Sequence, residues 1–266
     1  MDIQNLEQGD LDLIPDLLPF GWEDEITKIA SYTNSNFCFP IKVCTDKTIV
    51  GIGTTIIHNE TAWLAHIIVH ADYRHQKIGK LITQTLIETS YLKDCETIYL
   101  LATELGEPLY KKIGFETETE YVIFDSNGTH NEFEISENIV AINNAFKKQV
   151  LDLDRQVTGE DRVLLLEQHL LNGFVYLQGN EVHGFYLPDL GDGLIIATSG
   201  MAGQELMNLR LKEKDFGTFP IDNLIAADFM KQDNFKEVRS EKRLRLGRKR
   251  NWQPHNIYNI IGGNFG

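Results

Sequence analysis

The most constraining feature of the sequence is an apolar strand followed at once by a polar, glycine-containing loop and an amphipathic helix. Residues 62–69 (AWLAHIIV) form a nearly continuous apolar run, which is typical of a central strand covered on both faces. From Ile78 to about Leu92 the apolar residues recur at three-and-four spacing, and residues 97–102 (TIYLLA) form another apolar strand. This order predicts a right-handed βαβ unit with a parallel pair of strands inside a mixed sheet.

The loop between this strand and this helix has the chemistry of an anion site. N–H groups at the start of a helix lack partners within the helix, and the helix dipole adds partial positive charge there. Gly79 allows a close approach of the backbone, while Arg74, Lys77 and Lys80 add cations. The pattern indicates a site for phosphate oxygens, although a loop that is basic only for solubility fits the glycine alone equally well.

Residues 69–81 (VHADYRHQKIGKL) resemble a signature of the GNAT superfamily of acetyl-CoA-dependent N-acetyltransferases. In that family a strand ending in V-x-P-x-Y-R precedes the pyrophosphate loop Q/R-x-x-G-x-G/A. Gln76, Gly79 and Leu81 take the three loop positions. Leu81 departs from the small final residue, and Lys77 stands where a first glycine is common.

A second GNAT motif follows the next strand. Residues 103–115 (TELGEPLYKKIGF) resemble the family stretch N-x-x-A-x-x-x-Y-x-x-x-G-F, with Thr103 in place of Asn and Gly106 in place of Ala. The three matching residues are Tyr110, Gly114 and Phe115. Two motifs in this order are far more specific than either alone.

The same spacing recurs in the second half of the chain. Residues 223–235 (NLIAADFMKQDNF) keep the Asn and Ala of the motif but have Met230 where the first copy has Tyr110. The preceding loop, residues 198–204 (TSGMAGQ), lacks any cation. We therefore interpret this half as a diverged repeat of the first.

The resemblance and the repeat together predict an α/β (α+β) fold with two tandem GNAT-like domains. Each would have a mixed, mostly antiparallel sheet with a central parallel pair, flanked by helices. Residues 1–127 would be the catalytic acetyltransferase domain, and residues 128–266 a diverged domain with an acceptor-side or structural role, joined by a linker at residues 125–131.

Periodicity and turn residues predict the remaining strands and helices. The further strands are expected at 2–6, 37–43, 48–57, 121–124, 132–135, 174–177, 182–187, 194–197, near 219, 235–246 and 257–261. The further helices are expected at 10–18, 107–112, 139–153, 160–171, 203–211 and 223–231.

The resemblance implies transfer of the acetyl group of acetyl-CoA to a primary amine of a small molecule, by direct attack on the thioester. Acetyl-CoA would be a co-substrate, and no metal is expected. The end of the strand would supply backbone to the pantetheine arm and to the thioester carbonyl, and the loop would hold the pyrophosphate. The implied cofactor-binding residues are Ile67, Ile68, Val69, Arg74, His75, Gln76, Lys77, Ile78, Gly79 and Lys80.

Two residues are candidates for the proton transfers. By its motif position, Tyr110 would be the general acid to the leaving thiolate, and a half-buried aromatic that packs on the sheet is the alternative reading. His66 is the titratable group within residues 62–69, and imidazole changes charge near neutral pH, so it is a candidate base; a core histidine is the alternative.

The carboxylates that could instead attract the amine are Glu23, Asp24, Glu25 and Glu104. Four aromatic residues could line an acceptor pocket or pack in the core: Trp22, Tyr32, Phe37 and Phe39.

The net charge of −14 is carried by the first half of the chain. Residues 1–140 have 9 basic and 23 acidic side chains, while residues 141–266 have 16 of each. An acidic protein is a poor general ligand for nucleic acid or anionic membranes, and it attracts protonated amines. The eight basic residues between positions 236 and 250 alternate with apolar ones, which favours a strand that complements the acidic half over a nucleic-acid site.

The expected partner is a small amine, with neither nucleic acid nor membrane, and the sequence leaves a homodimer open. The acidic start lacks the features of a signal peptide, and no apolar run approaches the roughly 20 residues of a membrane helix, so we expect a cytoplasmic protein. The three cysteines are scattered and indicate neither a disulfide framework nor a zinc site. Two other functions stay open: a non-catalytic acyl-CoA sensor or scaffold, and an acetyltransferase for protein amines.

Overall fold

The computed structural model of the protein describes residues 1–19, 21–22, 24–46, 48–126 and 135–266. The chain divides into two compact units. The first comprises Met1–Leu100, Leu246–Arg248 and Phe265, and the second comprises Leu101–Arg245, Lys249–Asn264 and Gly266. The predicted domain boundary between residues 127 and 128, most of the predicted linker and nearly all of the predicted strand at 132–135 lie outside the described residues, so the boundary stays a prediction.

The first unit is built on a sheet in which the strands follow chain order. Neighbouring strands from β1 to β4 are antiparallel, and β4 and β5 are parallel over residues 61–63 and 97–99, which confirms the predicted parallel pair and mixed sheet. The strands are β1 (Asp2–Asn5), β2 (Cys38–Thr45), β3 (Thr48–His58), β4 (Thr61–Val69) and β5 (Thr97–Ala102).

Among its described residues this unit has two α-helices, α1 (Glu25–Thr33) and α2 (Ile78–Leu92). The predicted α2 is confirmed, because Ile78, Ile82, Leu86 and Ile87 of its apolar stripe are buried and the helix packs on β3 and β4. Gly53 of β3 permits this packing, since a Cβ atom there would lie 2.6 Å from Ile82 Cγ2. In contrast, the predicted helix at 10–18 consists of two 3₁₀ segments, Gln8–Leu13 and Pro15–Leu17, since a proline lacks the N–H that would continue a helix.

Strand β4 carries a β-bulge next to the candidate cofactor loop. Two residues of β4, His66 and Ile67, oppose the single residue Gly53 of β3. His66 has a φ of +48°, a left-handed conformation that is uncommon for a non-glycine residue. A bulge redirects a side chain from the regular alternation of a strand, and here the redirected side chain is His66.

The second unit contains two groups of strands. β6 lies between β11 and β12, and β13, β10, β9, β8 and β7 form a five-stranded antiparallel sheet in that order. Its strands are β6 (Glu116–Asp125), β7 (Ile139–Ala141), β8 (Phe174–Gln178), β9 (Glu181–Leu187), β10 (Leu194–Ala197), β11 (Phe216–Pro220), β12 (Lys236–Gly247) and β13 (Ile257–Asn259). Its helices are α3 (Glu107–Ile113), α4 (Lys147–Thr158), α5 (Val163–Leu166), α6 (Gly200–Leu211) and α7 (Leu224–Gln232).

Two predicted helices of the second unit are wrong in extent. The helix expected at 139–153 begins as strand β7, which pairs with β8, and becomes helical only at Lys147. The Asn143 side chain accepts the N–H of Ala145 at 2.9 Å, and such a local bond competes with helix continuation. The helix expected at 160–171 is reduced to α5 and the 3₁₀ turn Leu170–Asn172.

The basic run at residues 236–250 includes β12, whose cations pair with acidic side chains of β6 and α3. Arg243 Nε lies 3.0 Å from Glu118 Oε2, with both side chains buried, and Lys242 Nζ lies 2.9 Å from a Glu107 carboxylate oxygen. These partners come from the acid-rich first 140 residues. The prediction that the run complements that half is therefore confirmed within the second unit.

Candidate functional site

Two residues of the candidate cofactor loop have left-handed backbone conformations. φ is +63° at His75 and +66° at Lys77, and Lys77 is the N-cap of α2. Glycine adopts this region without steric cost, which explains why a glycine is common at the Lys77 position of similar loops. The carbonyl of Lys77 accepts the N–H of Leu81 at 3.0 Å, so the N–H groups of residues 78–80 precede that helical bond and are the donors a helix start offers to an anion.

The predicted cofactor-binding residues form one continuous segment from the end of β4 into α2. Arg74 Nε donates to the carbonyl of Val69 at 3.3 Å, which ties the loop to the strand end. Ile78 is 1% exposed, so it can offer a ligand only its backbone. Of the others, the side chains of Arg74, His75, Gln76, Lys77 and Lys80 are exposed, Ile67, Val69 and Gly79 are half-buried, and Ile68 is buried.

His66, at the bulge of β4, has hydrogen-bonding partners at both ring nitrogens. Nε2 lies 2.7 Å from Glu25 Oε2, and Nδ1 lies 3.1 Å from the Tyr32 hydroxyl oxygen. Both partners belong to α1, and the His66 side chain is 6% exposed. A neutral ring with its proton on Nε2 satisfies both contacts, because Nε2–H donates to the carboxylate and Nδ1 accepts from the hydroxyl.

Glu25 is the more exposed partner of this pair, with 22% of its side chain accessible. Its other carboxylate oxygen accepts a bond from Lys28 Nζ at 2.7 Å. Burial by itself raises the pKa of Glu25, but the hydrogen bonds from His66 and Lys28 outweigh it and lower the pKa to about 2. Glu25 is therefore a lasting negative charge beside His66 and a weak base in its own right.

Aromatic rings surround His66. The ring of Trp22 meets it edge-on at 6.5 Å, and the ring of Tyr32 lies 5.5 Å away. Phe265 packs edge-on against Tyr32 at 6.1 Å. Trp22 is 38% exposed, and aromatic rings attract cations to their faces.

The remaining sequence candidates for the acceptor side have other contacts. The ring of Phe37 lies 5.9 Å from that of His58, which in turn lies 6.4 Å from the ring of Phe265, and Phe39 lies beneath Lys93 Nζ. Asp24 is an exposed residue at the N-cap of α1, and Glu104 is exposed in the second unit. Glu23 lies outside the described residues. Of the candidate carboxylates whose positions are described, Glu25 is the one that the structure joins to His66.

Tyr110 lies in α3 and belongs to the second unit. Burial raises the pKa of its phenol to about 12, so the hydroxyl keeps its proton at neutral pH. A Cβ atom on Gly106 would lie 2.8 Å from Tyr110 Cε2, which explains glycine at a position where the family commonly has alanine. Thr103 Oγ1 accepts the N–H of Gly106 at 3.3 Å, a bond of the type an asparagine side chain also forms at a helix start.

In the part of the chain that the structure describes, no helix is long and apolar enough to cross a membrane. Within the same residues, no group of three or more His, Cys, Asp or Glu side chains is arranged to hold a metal ion.

Comparisons with known proteins agree with this geometry. Residues 37–117 match the family model of the acetyltransferase (GNAT) domain. A protein of Pyrococcus horikoshii classed as an acetyltransferase has a TM-score of 0.85 at 22% identity, and the alignment covers 100% of this chain and 95% of that chain. A tandem GNAT protein from the clavulanic acid biosynthesis pathway has a TM-score of 0.60 at 12% identity, with 92% and 98% coverage. A GCN5-related N-acetyltransferase from Sphaerobacter thermophilus has a TM-score of 0.61 at 11% identity, with 92% and 95% coverage. Comparison with curated protein sequences gave no match.

The strand, the loop and α2, together with the family match over residues 37–117, define an acetyltransferase domain. The chain has the fold of a solved tandem GNAT protein over 92% of its length. GNAT acetyltransferases use acetyl-CoA as the acetyl donor.

Most residues of the candidate site were predicted from the sequence, but their contacts were not. The loop, His66, Glu25 and Tyr32 were all candidates, whereas the contacts between His66 and α1 were not predicted because α1 was not. Phe265 was missed altogether, since it lies in no motif and no periodic pattern singles it out.

Proposed function

We propose that the protein acetylates a primary amine of a small molecule, with acetyl-CoA as the donor and His66 as the general base. The contact between Glu25 and His66 carries this proposal. It joins a proton acceptor and a lasting negative charge at the bulge of β4, three residues before the strand ends at Val69. The cytoplasmic location expected from the sequence is part of the same proposal.

Acetyl-CoA would be bound by the loop and the end of β4. The N–H groups of residues 78–80 and the exposed side chains of Arg74, Lys77 and Lys80 would hold the pyrophosphate. The left-handed residue Lys77 supports this role, because its conformation turns the chain directly into α2. The backbone of residues 67–69 would contact the pantetheine arm and polarise the thioester carbonyl.

The acceptor would enter as an ammonium ion. Glu25 supplies a partly accessible carboxylate that stays ionised, and Trp22, which is 38% exposed, supplies an aromatic ring next to His66. A carboxylate and an aromatic face together favour a compact cation. This combination supports a small amine as the substrate.

The chemical step would then proceed without a covalent enzyme intermediate. The bound ammonium ion first loses a proton to Nδ1 of His66, and the Tyr32 hydroxyl, which donates to that atom in the neutral arrangement, turns to accept from it. Glu25 stabilises the imidazolium through Nε2. The free amine then attacks the thioester carbonyl, the new C–N bond forms and the C–S bond breaks. The thiolate takes its proton from a general acid, a role that the family motif gives to Tyr110, and the second proton that the nitrogen loses restores this acid.

The test is an assay of free CoA thiol released from acetyl-CoA in the presence of a panel of small primary amines and lysine-containing peptides. We expect amine-dependent release, with small amines preferred, and its loss in His66→Gln. The matched control is His183→Gln, because His183 lies on β9 in the second unit. Equal turnover in the two variants would refute the role of His66, and preference for peptides would refute the small-molecule acceptor.

One observation favours a second function. Both ring nitrogens of His66 already have partners within the chain, as expected for a structural histidine. An acyl-CoA sensor would bind acetyl-CoA tightly, and no amine in the panel would release free thiol.

A further inference from the structure

Strand β13 lies between β10 and β11. By their order along the chain, β10, α6 and β11 are the counterparts of β4, α2 and β5 in the first unit. In the first unit β4 pairs directly with β5, in parallel. In the second unit β10 pairs with β13, which is antiparallel to it, and the N–H of Ile260 just beyond β13 donates to the carbonyl of Thr218 in β11 at 2.9 Å.

The side chain of Asn259 completes the contacts on both sides of β13. Its Oδ1 accepts the N–H of Thr218 at 2.9 Å, and its Nδ2 donates to the carbonyl of Gly193 at 2.8 Å. Asn259 is 1% exposed. A buried amide whose oxygen and nitrogen both have partners holds β13 at one register between β10 and β11.

The repeated motif of the second half also contacts β13. Asn223 occupies the position that Thr103 has in the first copy, and its Oδ1 accepts the N–H of Ala226 at 3.0 Å as a helix cap. Its Nδ2 donates to the carbonyl of Ile257 in β13 at 2.9 Å. The motif asparagine therefore both caps α7 and binds the backbone of β13.

Another residue of β13, Tyr258, packs against Gly203 near the start of α6. The register of β10 against β13 shifts at Tyr258, which makes Tyr258 a bulged residue. Its ring lies on Gly203, where an added Cβ atom would be 2.1 Å from Tyr258 Cζ. In the first unit the corresponding loop presents exposed cations, whereas residues 198–204 have none.

We propose that the cleft between β10 and β11 is a binding site for an extended peptide segment, and that residues 257–260 of the chain permanently occupy it. The backbone N–H and C=O groups of the segment satisfy the two strand edges and Asn223. The protein then binds one acyl-CoA per chain, through the loop of the first unit. That count rests on the proposed function, whereas the occupation of the cleft does not.

Two measurements on the full-length protein separate these claims. Calorimetry with CoA is expected to give one site per chain, weakened in the double variant Lys77→Ala, Lys80→Ala. Amide hydrogen exchange is expected to show residues 257–260 as strongly protected as β10, with no change at saturating CoA. Two CoA sites per chain, or rapid exchange at 257–260, would overturn the proposal. If no CoA binds, the proposed function fails, and the exchange rates alone decide whether the segment occupies the cleft.

A reversible crosslink tests whether the segment must leave for a ligand to bind. Ile196 and Ile257 are register partners, and the spacing of antiparallel partners suits a disulfide. The double variant Ile196→Cys, Ile257→Cys should bind CoA with the same stoichiometry when oxidised and when reduced. The matched control is Ile139→Cys, Tyr176→Cys, which joins register partners on β7 and β8. A site that appears only on reduction of the first pair would show that β13 is displaced by CoA, contrary to the proposal.

Discussion

Replacing Glu25 by Gln removes the charge beside His66 while keeping the size of the side chain. On folding, the pKa of Glu25 falls from 4.5 to about 2. Because each tenfold change in acidity is worth about 1.4 kcal/mol, this fall sets an upper limit of about 3 kcal/mol on the stabilisation. The side chains of Glu25 and Lys28 are 22% and 42% exposed, and solvent screening reduces the expected loss to about 1–2 kcal/mol at pH 7.

The pH dependence of this loss gives the sharper test. A group whose pKa is lowered on folding stabilises the protein fully above its unfolded value, and the contribution disappears as the pH falls through the folded value. The difference between wild type and Glu25→Gln should therefore be full above about pH 4.5 and vanish towards about pH 2. Thermal unfolding at a series of pH values measures it, as a fall in Tm of about 2–8 °C at neutral pH.

The matched control is Asp24→Asn, which removes an exposed carboxylate at the start of the same helix. We expect its Tm to stay within about 1 °C of wild type, since exposed charges contribute little. A difference for Glu25→Gln that stays constant from pH 7 to pH 3 would refute the reasoning, because it would show that the charge of Glu25 is not what stabilises the fold.

Three further predictions concern the site. Tyr110→Phe should lower kcat by about 100-fold with the KM for acetyl-CoA unchanged; an unchanged kcat in steady-state assays would remove Tyr110 from the chemistry. Gly106→Ala places a Cβ atom 2.8 Å from the Tyr110 ring, so it should destabilise the protein by about 1–3 kcal/mol in urea unfolding and lower kcat as well, whereas a wild-type kcat would show that the ring position is not critical. Lys77→Gly removes a cation of the loop, so calorimetry should show weaker CoA binding. Because it also relieves a left-handed residue, the Tm should hold or rise; a fall in Tm would mean that the lysine side chain stabilises the loop.

The elements that were predicted correctly are those whose sequence pattern matches their burial in the fold. The apolar runs of β4 and β5 and the three-and-four spacing of α2 identify buried elements, and α2 begins and ends where its pattern does. The same reasoning failed at residues 139–141, because pairing with β8 decided the conformation of a segment that also fits a helix. It failed at α1 because that helix is nine residues long, which is too short a window for a three-and-four pattern to identify a helix.

The candidate site was predictable where it is continuous in sequence and unpredictable where it is not. The candidate cofactor loop lies in one segment, so its residues could be named together. His66 and Glu25 are 41 residues apart, and only the packing of α1 beside the bulge of β4 brings them together. The bulge itself leaves little trace in the sequence, since His66 is a non-glycine residue in a conformation that usually signals glycine.

The most direct test of the central claim is the amine-dependent release of free CoA from acetyl-CoA by the wild-type protein, measured beside His66→Gln and His183→Gln. The account predicts turnover with at least one small primary amine, retained in His183→Gln and reduced by about 100-fold or more in His66→Gln. Binding of acetyl-CoA without release of thiol for any amine would contradict it.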